Sequence, residues 1–209
     1  MLKILPHNVF FVVLVIVFAL HGNSQAELAA YVKKYNNITI SKNQLAKLAA
    51  YNDLITYFSN FSYFRQGYKV SPDFIKALIL AESGCNRYAV SSKNAIGLGQ
   101  ILFSTGKEAA QEIYKSGRRF RYINTSRLNN LRHEDLFDPA INILLTCYLI
   151  SKYNYKFNGK LDLVVSAWNA GENTDSLKIG LPPPYSETRN LIGKINGYFV
   201  FLLNRRQSS

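Results

Sequence analysis

The chain is short of the residues on which many sites are built. Of its 209 residues, two are Cys and three are His. Two thiols cannot make a dense disulfide scaffold or a thiolate zinc site. The histidines, His7, His21 and His133, are scattered, so no metal-ligand cluster forms around them, and no phosphate loop or nucleophilic triad is present. No cofactor is implied. Glycine and proline are also few, at 12 and 6, and 48% of residues are hydrophobic, which excludes a disordered or fibrous chain. Acids are the scarcest charged class, 13 against 25 Lys and Arg, for a formal net charge of +12. Such a balance points to anionic partners: a wall polymer, a membrane surface or nucleic acid.

Only one long apolar run exists. Residues 9–20 (VFFVVLVIVFAL) follow the basic Lys3 and precede the polar His21-Gly22-Asn23 and the small residues Ser24 and Ala26. As a helix the run would reach about 18 Å, short of the roughly 30 Å hydrocarbon core. Residues 1–26 therefore read as a cleaved secretory signal, with an uncleaved anchor as the alternative. Export to the periplasm or cell envelope follows, and a nucleic-acid partner drops out. Outside the cytosol Cys85 and Cys147 could pair, but both sit in apolar helical contexts and read rather as two small buried residues.

What remains reads as helices. Ser41 and Gln44 have capping-box spacing, and Leu45, Leu48, Ile55 and Phe58 recur as one face of a helix over residues 41–61. Ser71-Pro72-Asp73 is a helix start, with Phe74, Ile75, Leu78 and Ile79 buried and Gly84 as the stop. Ser104 is read as the cap of a helix to Ser116, and Asp138-Pro139 opens another. Residues 161–168 and 186–203 complete the set, and no segment alternates as a strand should. The class is mainly α, with loops at residues 91–99, 118–130 and 172–185.

Glu82 ends the helix that begins at Pro72. A carboxyl there faces the negative end of the helix dipole, and apolar neighbours disfavour its charge further. Both effects suit a general acid, which must hold a proton near neutral pH.

Five blocks in order surround this acid: Glu82-Ser83-Gly84 with Ala89-Val90-Ser91; Gly97-Leu98-Gly99-Gln100-Ile101; Phe137-Asp138-Pro139 with Asn142-Ile143; Ala167-Trp168-Asn169-Ala170-Gly171; and Glu187-Thr188-Arg189. The series resembles the soluble lytic transglycosylase (SLT) family, whose fold is similar to goose-type lysozyme, over roughly residues 57–199. The resemblance implies cleavage of the β-1,4 bond between N-acetylmuramic acid and N-acetylglucosamine in peptidoglycan, leaving 1,6-anhydro ends, with Glu82 as acid and then base. It implies that Ser83 helps orient the acid and that Ser91 and Gln100 contact sugar acetamido and hydroxyl groups. Gly97 lets backbone approach the glycan, Asn169 and Gly171 shape the floor beside the acid, and Glu187 lies near the stem peptide. Trp168 stands where the family usually has Tyr and could stack on a sugar. Leu191 stands where the family often has a Tyr close to the acid, and Gly99 where Met is usual.

On this reading residues 27–56 form an N-terminal helical extension, 57–203 the catalytic domain and 204–209 a tail. Lys115, Arg118, Arg119, Arg121, Arg127 and Arg132 concentrate charge around one loop, either for attraction to the wall or membrane or as a solvated surface. Rival functions are a lysozyme-type hydrolase on the same fold and a non-catalytic glycan-binding or scaffold protein of a secretion or pilus apparatus.

Overall fold

The computed structural model describes residues 22–207; the expected leader falls mainly outside that range. Ten α-helices occur among the described residues, and no helix among them is long and apolar enough to cross a membrane. The mainly α expectation holds.

The core is organised by α7 (Pro139–Lys156). Asp138 caps it by accepting from the Ala140 amide, Pro139 occupies its first turn, and thirteen of its residues are buried. A helix apolar on nearly every face is one enclosed by neighbours. α3 (Asn52–Ser59), α5 (Phe103–Lys115) and α8 (Leu161–Ala170) pack around it. α4 (Pro72–Ser83) starts at Ser71, whose hydroxyl accepts from the Phe74 amide, and ends at Gly84 in the left-handed region at φ 59°. α10 (Ser186–Gln207) runs antiparallel to α4: Phe199 meets Phe74 near one end, and Lys194 reaches the Ala81 carbonyl near the other. α1 (Gly22–Lys34) lies on α10, whose Gly193 and Gly197 leave no room for a Cβ against the Tyr31 and Tyr35 backbone.

Four expectations are corrected. The helix expected over residues 41–61 is two, α2 (Lys42–Ala49) and α3, separated at Tyr51. The capping box of Ser41 and Gln44 is present, but the break lets α2 face α4 while Ile55 and Phe58 of α3 are buried near α7. Ser104 does not cap α5. Leu102 holds that place with no side-chain bond, because the chain enters the helix directly from a strand. That strand belongs to a hairpin, Ala95–Ile96 (β1) against Ile101–Leu102 (β2), within and just beyond a stretch expected to be loop. Two-residue strands are too short to show alternation. The other two loops contain the short helices α6 (Thr125–Asn129) and α9 (Asp175–Lys178). Cys85 and Cys147 are both free and buried, as read.

Candidate active site

Glu82 lies in the last turn of α4, partly buried. The last turn of α8 brings Trp168 to it, and the indole Nε1–H donates to Glu82 Oε1 at 2.7 Å. Desolvation pushes the Glu82 carboxyl up to about 7. The Trp168 hydrogen bond and the Lys194 cation pull the other way, and the Glu187 carboxylate adds a further upward push. The indole can only donate, so it holds Oε1 as an acceptor and leaves Oε2 as the oxygen that carries the proton. The result is a carboxylic acid of fixed orientation with a proton to give near neutral pH.

The floor beside the acid is built from the hairpin and α7. Ser83 Oγ donates to the Leu98 carbonyl at 2.8 Å and to the Ile79 carbonyl at 3.2 Å, tying the end of α4 to the hairpin turn. Asn142, buried in α7, accepts from the Gly99 amide at 2.8 Å and donates to the Ile96 and Leu136 carbonyls. A Cβ at Gly97 would collide with Asn142 and the Leu136 carbonyl, and one at Gly99 with the Thr146 hydroxyl; Gly97 also sits at φ 77°. These glycines are therefore required by close contact with α7. Gln100, itself at φ 53°, turns its amide back to donate to the Ala89 and Gly97 carbonyls.

Ser91 lies at the entry to the hairpin, where its hydroxyl accepts from the Lys93 and Ala95 amides. Lys93 in turn pairs with Glu187 at 2.7 Å, both well exposed. Asn169 follows Trp168, and its Oδ1 is buried with no partner within the protein; Gly171 closes α8 at φ 91°. The structure thus joins Glu82 to Trp168 directly and Ser83 to the turn carrying Gly97 and Gln100. The side chains of Ser83, Ser91 and Gln100 are occupied with backbone.

Lys194 and the hub role of Asn142 were not anticipated. Asn142 had a signal, a lone amide within an apolar helix stretch. Lys194, three positions after Leu191, had none, since a lysine in a helix usually faces solvent. Other acids are taken up elsewhere. Glu172 pairs with Lys152 and Lys156, Asp175 with Lys178, and Asp135 and Asp138 with Arg127. The basic loop is correspondingly less free than its sequence implies: Arg127 and Arg132 pair with acids, and Arg118 donates to the Ser62 and Tyr63 carbonyls. Among the described residues no group of His, Cys, Asp and Glu converges as a metal site would need.

A family model described as the transglycosylase SLT domain matches residues 59–183, more than half of the chain. A Haemophilus influenzae protein, provisionally named a soluble lytic murein transglycosylase, is 29% identical over 192 residues, 84% of this chain and 30% of its own length. Membrane-bound lytic murein transglycosylase E of Buchnera aphidicola (strain Bp) is 35% identical over 119 residues, 56% of this chain and 50% of its own. The chain thus spans half or less of these relatives. Among solved structures, the 70 kDa soluble lytic transglycosylase of Escherichia coli superposes with a TM-score of 0.59 at 19% identity, over 88% of this chain and 31% of that one. The lytic transglycosylase Slt of Pseudomonas aeruginosa gives 0.54 at 21%, over 78% and 24%. The lysozyme-like helical fold expected from the sequence is the fold found.

Proposed function

The chain belongs to the transglycosylase SLT family, and from that premise we propose that it is a peptidoglycan lytic transglycosylase in which Glu82 is the only catalytic carboxyl. Peptidoglycan strands are its substrate, residues 57–203 its catalytic domain, and the periplasm or envelope its place of work.

The observation that carries this reading is the Glu82 carboxyl, raised to about 7 and held through one oxygen by the Trp168 indole. Glu82 Oε2 gives its proton to the glycosidic oxygen as the bond to C1 of N-acetylmuramic acid breaks, and the N-acetylglucosamine leaves as an alcohol. The substrate's acetamido oxygen stabilises the positive C1. The same carboxylate then takes the proton of the muramic C6 hydroxyl while that oxygen bonds to C1. The product is a 1,6-anhydro ring, the acid is restored and no water is consumed.

Glycosidases that use water generally need a second carboxylate as base or nucleophile. Glu187 is the acid whose charge acts on Glu82, and it is exposed and paired with Lys93. This favours the single-acid route over the hydrolytic one. Asn169, with its unpartnered Oδ1, is suited to accept from a sugar N–H or hydroxyl. Ser83, Gly97 and Gln100 act by shaping the floor, with Ser91 and Glu187 at the hairpin side. An apparatus partner and wall attraction through the basic surface are compatible with this role.

The test is mass spectrometry of peptidoglycan digested by the wild type and by Glu82→Gln. Anhydro-ended fragments from the wild type and none from the variant are expected. Reducing ends would establish a hydrolase; binding without release of fragments would establish a glycan-binding protein.

A further inference from the structure

A cavity lies at the opposite end of α4 from Glu82. It has a volume of 260 Å³ and is formed by the chain leading into Ser71 and the last turns of α7. Glu82 lies eleven positions beyond Ser71, about 16 Å along the helix at 1.5 Å per residue. The catalytic proposal uses none of it.

Its walls are aromatic and half-exposed. Phe64 and Tyr155 stand nearly parallel, with centroids 6.2 Å apart and planes 16° from each other, and are 38% and 59% exposed. Tyr68 is open at 40%, with the Arg65 guanidinium 4.4 Å from its ring centroid. The exposed parts of Phe64 and Tyr155 leave apolar surface uncovered, an unfavourable state that a flat ligand relieves. The polar complement is present too. Asn154 and Asn158 line the cavity, and Ser151 borders it with a hydroxyl that is buried and has no partner within the protein. An unpartnered buried hydroxyl is unfavourable unless something completes it. The lining includes two cations, Arg65 and Lys69, and no carboxylate.

Apolar rings beside amide and hydroxyl groups match a pyranose, whose faces carry C–H bonds and whose rim carries hydroxyls. Lys69 donates to Asn60 Oδ1 and Arg65 lies over the Tyr68 ring, but neither meets a carboxylate in the lining, and the two add a preference for a carboxylate on that sugar. A cavity of this volume holds one ring rather than a chain. The geometry points to a second, non-catalytic saccharide site that takes one acidic pyranose unit, such as the N-acetylmuramic unit of a glycan strand. The identification of that strand rests on the proposed substrate; the site itself does not. Bound there, the protein would keep hold of the polymer between cleavage events, since a second contact on one strand raises the effective concentration of the first.

The test uses the full chain carrying Glu82→Gln, with N-acetylmuramic acid and N-acetylglucosamine as probes in NMR titrations. Trp168 is the only tryptophan, so its indole N–H signal reports the catalytic end alone. N-acetylmuramic acid is expected to shift the Asn154, Asn158 and Gly159 signals at concentrations that leave the indole unmoved. Tyr155→Ala should weaken that binding about tenfold. Arg65→Ala should weaken it for N-acetylmuramic acid and not for N-acetylglucosamine. In the active chain Tyr155→Ala should reduce retention on insoluble peptidoglycan several-fold and leave cleavage of short soluble fragments unchanged. Shifts confined to the indole, or equal binding by Tyr155→Ala, would overturn the site and leave the Glu82 reading standing. Activity surviving Glu82→Gln would remove that reading and leave this site standing.

Discussion

Two carboxyls of this chain, Glu82 and Asp135, are both withdrawn from water and end in opposite states. Asp135 is the more buried, with its side chain 3% exposed. Burial pushes its carboxyl up, as it does for Glu82, yet Asp135 is held below the ordinary carboxylate range. Arg127 donates to Asp135 Oδ1 from both Nε and Nη2, and the Arg132 amide donates to Oδ2. Glu82 receives one neutral indole hydrogen bond, and its nearby cation, Lys194, spends a hydrogen on the Ala81 carbonyl. Charged donors outweigh burial at Asp135, whereas at Glu82 burial outweighs a neutral donor and the Lys194 cation. The structural acid is surrounded by donors that demand a charge, and the catalytic candidate by just enough to orient it.

The sharpest break of this contrast is Glu82→Gln. Release of anhydro-muropeptides should fall at least about a thousandfold, since the proposed proton donor is gone. The same variant should be more stable than the wild type at pH 8. The folded carboxyl titrates near 7 and the unfolded one near 4.5, so the wild type loses stability as pH rises from 4.5 to 7 and stays at the lower level above. The difference should reach roughly 2–3 kcal/mol in urea unfolding at pH 8 and vanish below pH 4. A pH-independent difference would show that Glu82 is not raised.

At Asp135 the opposite sign is expected. Arg127→Met strands a buried carboxylate and should cost about 2–3 kcal/mol at pH 7, less than for a fully buried pair because Arg127 is partly exposed. The loss should shrink as pH falls through the ordinary carboxylate range, where the stranded Asp135 of the variant takes a proton and the paired one of the wild type does not. Unfolding curves at pH 7 and pH 3 would measure it.

Trp168→Phe keeps the ring and removes the donor. Turnover should drop about 10- to 100-fold through lost orientation. The high-pH limb of activity should move upward, because the indole bond lowers the Glu82 value. Smaller still are the two remote charges. Lys194→Met should move that limb up and Glu187→Gln should move it down, each by less than about one pH unit. Equal shifts in one direction would mean that the limb belongs to another group.

Much of the frame was legible because it depends on neighbours in the chain. Ser41 with Gln44, Ser71 with Pro72 and Asp138 with Pro139 each satisfy amides within three residues, and all three mark helix starts as read. What the sequence left unread was geometry that is not local. Ser104 looked like a cap, but the strand before α5 had already placed Leu102 there. Nothing near Gly97 and Gln100 in the chain announced their contacts within the protein, with Asn142 of α7 and with the backbone of their own loop. Nothing in the sequence joined Trp168 to Glu82, 86 positions away, to which its indole nitrogen donates.

By itself the sequence determined the helical class, the principal helix starts and the position of one acid at a helix end, because capping and periodicity act over one or two turns. Only the tertiary structure decided what that acid is. A carboxyl's charge depends on the donors that folding brings to it and on the water they displace. In this chain α8 delivers an indole to Glu82 from 86 positions away, while α6 turns a guanidinium onto Asp135 only eight positions on.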